Sequence, residues 1–178
     1  MAPVLGQVLQ DYTPTVDDLD PTEPLIVDGT LLPTWSWRTM PELFSGKHKT
    51  TGVNVQVACD LTGRLAFVSD PMPGCTHDAR ALKETGLLDH IAKGQLIGDK
   101  GYIGLGIITL IRAQPKQQHT AEEKKFNKSV NTIRYTIERV IANLKTWRIL
   151  HADYRRPFAT SPETITTVLA LEFYKNTF

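Results

Sequence analysis

Three acidic residues carry the chemical interest of this chain. Asp28 follows an apolar run and precedes Gly29 in "LIVDGT". Asp99 ends the apolar run of "QLIGDKGY" and precedes Lys100 and Gly101. Glu138 sits among Ile137, Val140 and Ile141. The two short apolar runs predict buried strands with a carboxylate at each tip. A single Asp beside a glycine ordinarily serves a turn or caps a helix. Two of them at the ends of adjacent parallel strands would repel, and one would take a raised pKa. A divalent cation removes that conflict, and hard carboxylate oxygens suit Mg²⁺ or Mn²⁺.

The stretch from Thr120 to Leu150 contains no Gly or Pro and repeats apolar residues every three or four positions, which predicts a long helix, whole or in two pieces. On it, Asn131, Arg134, Glu138 and Lys145 are spaced i, i+3, i+7, i+14 and fall within about 60° of one another at 100° per residue. The plain alternative is a solvated face with an Arg134–Glu138 pair worth a few tenths of a kcal/mol.

The remaining elements must position these groups. "VNVQVACD" alternates Val53, Val55 and Val57 with Asn54, Gln56 and Ala58, predicting a half-buried strand. Residues 60–63 read as a hairpin loop leading into a second strand, "RLAFVSD". Thr76 is a candidate N-cap for a helix beginning "HDARALKE". "GIITLIRA" reads as a strand or a buried helix, closed by Pro115. Ser161 as N-cap and Pro162 at the first helical position predict a final helix. The order of elements implies an α/β domain with a mixed sheet over residues 25–178, preceded by a tail or short helix over residues 1–24.

The chain has 178 residues, 41% hydrophobic and 22% charged, which suits one domain with a real core. Its net charge of +1 hides an asymmetry. Residues 1–30 hold six acids and no Lys or Arg, whereas residues 119–156 hold nine Lys or Arg against four acids. A basic half of this kind suits either a polyanionic partner or a solvated helix face. Cys59 and Cys75 form no CxxC pair and read as reduced thiols of a cytosolic protein. No apolar run is long enough for a membrane span, and no secretory leader is visible.

Taken together, "VDGT", "GKHKTTGVNVQVACD", "PGCTHDAR", "GDKGY" and "TIERVIANLKTWRIL" resemble the DDE transposase domain of the IS5-like and Harbinger-like group, over residues 25–171. The resemblance implies an RNase H-like mixed sheet flanked by helices. It also implies a catalytic and metal-binding triad of Asp28, Asp99 and Glu138, holding two Mg²⁺ or Mn²⁺ ions. Arg134, Glu138 and Lys145 match the family's Tyr-x2-Arg-x3-Glu-x6-Lys signature, and Asn131 departs from its Tyr. The implied activity is cleavage at the ends of an insertion-sequence-type element, followed by strand transfer into target DNA. Lys47, Lys49, Arg134, Lys145 and Arg148 are the candidate DNA contacts, and His77 and Asp78 the accessory candidates. Gly98 and Gly101 are expected to let DNA approach Asp99. The tryptophans Trp35, Trp37 and Trp147 are expected in the core or at an interface. Tyr102 and Ser129 are not needed as nucleophiles. The implied setting is nucleoid-associated and cytoplasmic, with homo-oligomers on DNA and an upstream DNA-binding region supplied separately. The competing readings are an inactive or truncated relative kept for DNA or protein binding, and a nuclease without strand transfer.

Overall fold

The structure, a computed structural model, describes residues 2–35, 39–113 and 118–176. Its centre is an antiparallel pair. Strand β1 (Leu25–Pro33) lies against β3 (Thr50–Asp60) in unbroken register, from Leu25 opposite Asp60 to Pro33 opposite Gly52. The Val-rich, β-branched sequence of β3 favours this pleated, buried position. The far edge of β3 takes three short partners: β2 (Phe44–Ser45), β4 (Leu65–Val68) and β5 (Met72–Pro73). The β3–β4 hairpin is tied by Asp60, whose Oδ1 accepts from the Thr62 and Arg64 amides at 2.8 and 2.9 Å, with Gly63 at φ +93°. This agrees with the hairpin read from the sequence.

On the other edge of β1, β6 (Leu96–Ile97) pairs in parallel, with Leu25 beside Leu96 and Ile26 beside Ile97. Ile97 forms one further parallel bridge to Ile108. The result is a six-stranded mixed sheet in the order β2-β3-β1-β6, with β4 beside β3, and it has an RNase H-like α/β arrangement. The segment around Ile108 is thus neither the strand nor the buried helix expected of "GIITLIRA", because pairing stops after one bridge.

Helices cover both faces. The long helix α4 (Ala121–Leu144) and the C-terminal α6 (Ser161–Lys175) lie on one. Ile137, Val140, Leu144, Ile165 and Phe173 pack there on Ile26, Val53, Val55 and Val57 in an apolar core. The short helices α2 (Asp78–Glu84) and α3 (Leu87–His90) lie on the other. There Leu82, Leu87 and Tyr102 pack on Leu25, Val27 and Ala58. A leading helix α1 (Ala2–Leu9) packs against α6. One-turn α5 (Arg148–His151) follows α4, so the long periodic stretch is realised as two pieces.

Several expectations change. The strand β1 does not stop at Asp28; its antiparallel ladder continues to Pro33, because Leu31 and Leu32 are also buried. The polar side of β3 does not face solvent: Asn54 and Gln56 are buried under α2, so the strand is buried on both faces. The N-cap of α2 is His77 rather than Thr76, and that of α6 is Thr160 rather than Ser161, so Pro162 takes the second helical position rather than the first. Trp37 and Pro115 lie outside the described residues. No helix among the described residues is long and apolar enough to cross a membrane.

Candidate active site

The shortness of β6 creates the site. Its pairing with β1 ends at Ile97 opposite Ile26, so beyond that point the edge of β1 is open. Asp28 lies on the open part. Asp99 lies two residues past the end of β6, as N-cap of a 3₁₀ turn over Lys100–Tyr102. Its Oδ1 accepts from the Gly101 amide at 2.6 Å. The capping role and the proximity to Asp28 therefore hold together, since a carboxylate has a second oxygen to offer.

Asp28 alternates with Val27, which faces α2, and so faces α4. Its Oδ1 accepts from the Gly29 amide at 2.9 Å, and its Oδ2 lies 3.7 Å from Arg134 Nη2. Both side chains of this ion pair are largely buried. Burial pushes the Asp28 carboxyl up to about 6, and the charge of Asp99 adds to this; Arg134, the Gly29 amide and Lys47 pull the other way. The like-charge conflict expected of two strand-end acids is therefore present at Asp28.

Gly29 faces the opposite side of the sheet, where a Cβ would collide with Asp78 Oδ1 and come within 2.8 Å of Gln56 Nε2. The glycine after the first acid thus admits a third carboxylate. Asp78 does not cap α2. Its Oδ1 accepts from Asn54 Nδ2 at 3.0 Å, and its Oδ2 pairs with Lys47 Nζ at 2.7 Å. Burial works to lower the pKa of Lys47, but Asp78, Asp28 and Asp99 outweigh it and hold the ammonium above its ordinary value. Lys47 comes from the β2–β3 loop, in which Lys49 takes a left-handed φ of 55°.

Beneath these groups runs a buried polar chain absent from the sequence reading. Tyr102 Oη donates to Gln56 Oε1 at 2.8 Å, and Gln56 Nε2 donates to Asn54 Oδ1 at 3.1 Å. Burial, with the nearby charges of Asp78, Asp28 and Asp99, raises the Tyr102 pKa far above the ordinary phenol value. Both influences disfavour the phenolate there. The available signal was the polar alternation in β3, which becomes informative only once that strand is central. Gly98 serves this chain as well. A Cβ there would come within 2.8 Å of both the Tyr102 ring and Ile107, so it makes room for packing rather than for DNA. Gly101 makes room for the Asp99 carboxylate itself.

The remaining candidates are placed as follows. Glu138 is exposed on α4, one turn beyond Arg134, and Arg134 reaches Asp28 instead of forming the i,i+4 pair. Arg134 Nε is buried with no hydrogen-bond partner among the described residues. Lys145 caps the C-terminus of α4, and burial lowers its pKa. The His48 pKa is depressed by burial and by the charges of Lys47 and Lys145, which places Lys145 beside the Lys47 loop. Arg148 is exposed on α5 and shares a cleft with Arg155 and Arg156. His77 is exposed and makes no side-chain cap. Trp147 is half-buried and donates to Glu172 at 2.7 Å. Trp35 is exposed, with Arg155 stacked 4.9 Å above its ring.

Comparison with known proteins gives this geometry a family. The model of the DDE superfamily endonucleases matches residues 27–172. The chain belongs to that family. It is 37% identical, over 128 residues, to a Streptomyces albus G protein described as "Putative transposase for insertion sequence element IS112". It is 27% identical, over 124 residues, to a Microchaete diplosiphon protein described as "Probable transposase for insertion sequence element IS702". These matches cover 71% and 66% of this chain but 49% and 44% of the relatives, so the chain spans about half their length. No solved structure matches it.

A DDE endonuclease uses a divalent metal, and the donors at the open edge of β1 fit one. Asp28 and Asp99 are close enough for one charge to raise the other's pKa, and carboxylate oxygens are the ligands hard cations take. Among the described residues no three Asp, Glu, His or Cys side chains already form a metal-holding group. Asp28 is instead balanced by Arg134, and Asp78 by Lys47.

Proposed function

We propose that this chain is the catalytic domain of an insertion-sequence transposase of the IS5-like and Harbinger-like group, cutting and rejoining DNA in a Mg²⁺- or Mn²⁺-dependent reaction. The observation that carries the proposal is that Asp28 and Asp99 lie at the open strand edge, where Arg134 of α4 pairs with Asp28; Glu138 follows Arg134 by one turn of that helix. The names of the two relatives point the same way.

Asp28 and Asp99 would hold the cation, and Glu138 would supply the third carboxylate from α4. When bound, a pair of such ions activates water and stabilises the leaving oxygen of an in-line displacement. Hydrolysis would break the P–O3′ bond and leave a 3′-OH and a 5′-phosphate; in strand transfer that 3′-OH would attack a target phosphodiester, forming a new P–O3′ bond as the target's own P–O3′ bond breaks and its 3′-oxygen leaves as a hydroxyl. Arg134, freed from Asp28, would pair with a phosphate oxygen, for which a planar guanidinium is suited. Lys47, Lys49, Lys145 and Arg148 would lie along the DNA backbone. Assembly as a homo-oligomer on DNA, an upstream DNA-binding region and association with the nucleoid complete the reading.

The test is nicking of labelled element-end duplex with Mg²⁺ or Mn²⁺, with any upstream region supplied in trans. Asp28→Asn, Asp99→Asn and Glu138→Gln keep side-chain size but remove charge, so each should slow cleavage by at least about 10²-fold while duplex binding persists. Near-normal cleavage by the Asp99 variant would remove it from the metal site. A wild-type chain that binds DNA but never cleaves would favour the inactive-relative reading.

A further inference from the structure

The Lys47–Asp78 pair stands at the end of a directional chain of hydrogen bonds. Tyr102 donates to Gln56, Gln56 donates to Asn54, Asn54 donates to Asp78, and Asp78 accepts from Lys47. The chain links three segments: the 3₁₀ turn that carries Asp99, the central strand β3, and the start of α2. Tyr102 and Gln56 are fully buried and Asn54 nearly so, so each amide is held in one orientation by its neighbours. If the Gln56 amide turned over, its Oε1 would meet Asn54 Oδ1, acceptor against acceptor, and turning Asn54 as well would move that clash to Asp78.

The chain leaves Asp78 one fixed oxygen for Lys47. Without such a partner a lysine is a flexible point charge on a four-carbon stem. With it, the ammonium is stationed on Asp78, the carboxylate that fills the space beside Gly29, within reach of the charges of both strand-edge acids, while more than half of its side chain remains exposed. In this arrangement both Asp78 oxygens are engaged, Oδ1 by Asn54 and Oδ2 by Lys47.

We propose that Lys47 is the residue that contacts a phosphate of DNA beside Asp28 and Asp99, and that Asp78, Asn54, Gln56 and Tyr102 are positioning residues that aim it. The proposal rests on the metal-dependent DNA reading above, but it is tested separately from it. The probe is a plain duplex titrated against the full chain over a range of salt, with Mn²⁺ binding measured by calorimetry on the same proteins.

Lys47→Ala should lose one phosphate contact, making the salt slope shallower by about 0.9. Lys47→Arg should restore it, and neither change should weaken Mn²⁺ binding. Tyr102→Phe removes one fully buried hydroxyl and alters no charge. It should weaken duplex binding several-fold in the wild-type background and not at all in the Lys47→Ala background. A Tyr102→Phe loss of equal size in both backgrounds would show a merely structural role and overturn the relay. An unchanged salt slope in Lys47→Ala, or no measurable duplex binding at low salt, would overturn the contact itself. Failure of the metal-site reading has a different signature: Mn²⁺ binding unaffected by Asp28→Asn and Asp99→Asn.

Discussion

The two faces of β3 are both buried and do different work. Val53, Val55 and Val57 join the apolar core beneath α4 and α6, where contact is non-directional and neighbours of similar size can substitute for one another. Asn54 and Gln56, one residue away on the other face, are held by hydrogen bonds of fixed polarity reaching Tyr102 and Asp78. The difference teaches that burial here serves two ends. One face supplies stability through area, and the other supplies orientation at the cost of desolvated amides.

Substitutions on each face sharpen that contrast. The largest effect on stability is expected from Ile137→Ala on the apolar side. A fully buried branched side chain of α4 is removed from the core, at a cost of about 2–5 kcal/mol by denaturant unfolding, with Mn²⁺ affinity of the folded fraction unchanged. Gln56→Leu on the polar side keeps volume but strands the Tyr102 hydroxyl and the Asn54 carbonyl oxygen. It should cost about 1–3 kcal/mol and also weaken duplex binding, a pairing of effects that Ile137→Ala should not show. If both variants lost stability alone, the division of labour between the faces would collapse.

The smallest effect depends on pH. In the folded protein the Asp28 carboxyl is pushed up to about 6, above the ordinary aspartate value of 3.8. Between those values the folded protein holds the proton more tightly, so stability falls as pH rises through the window and the full penalty applies above about 6. Arg134 offsets part of that penalty. Arg134→Met should therefore cost about 1 kcal/mol at about pH 8 and less at about pH 5, where Asp28 is largely neutral. Thermal unfolding at the two pH values checks this, and an equal loss at both would mean that the ion pair contributes nothing.

Much of this architecture is legible in the sequence because it follows from local pattern. The apolar runs before Asp28 and Asp99, the turn at Asp60, and the three-four repeat from Thr120 each depend on residues within a few positions. The contacts that decide the site depend on distant segments. Nothing near Asn54 or Gln56 says that α2 will cover them, since the same alternation describes a strand with one face in water. Nothing near Arg134 says whether it will turn to Glu138, four residues away, or to Asp28, across the fold. Gly29 reads as a turn residue beside Asp28, and its role appears only when Asp78 occupies the space a side chain would need. Glu138 stands out through the polar seam of α4 and through motif resemblance, and its exposed position adds no further mark of the role proposed for it.

The two thiols of this chain sit in opposite environments. Cys59 has no exposed surface, and burial pushes its pKa up to about 12, so at neutral pH it holds almost no thiolate. Cys75 is exposed, three residues ahead of Asp78. The unaltered sequence thus contains a single natural attachment point for a fluorophore or spin label, next to the Lys47–Asp78 pair, and conformational changes there can be followed without first stripping cysteines from the protein.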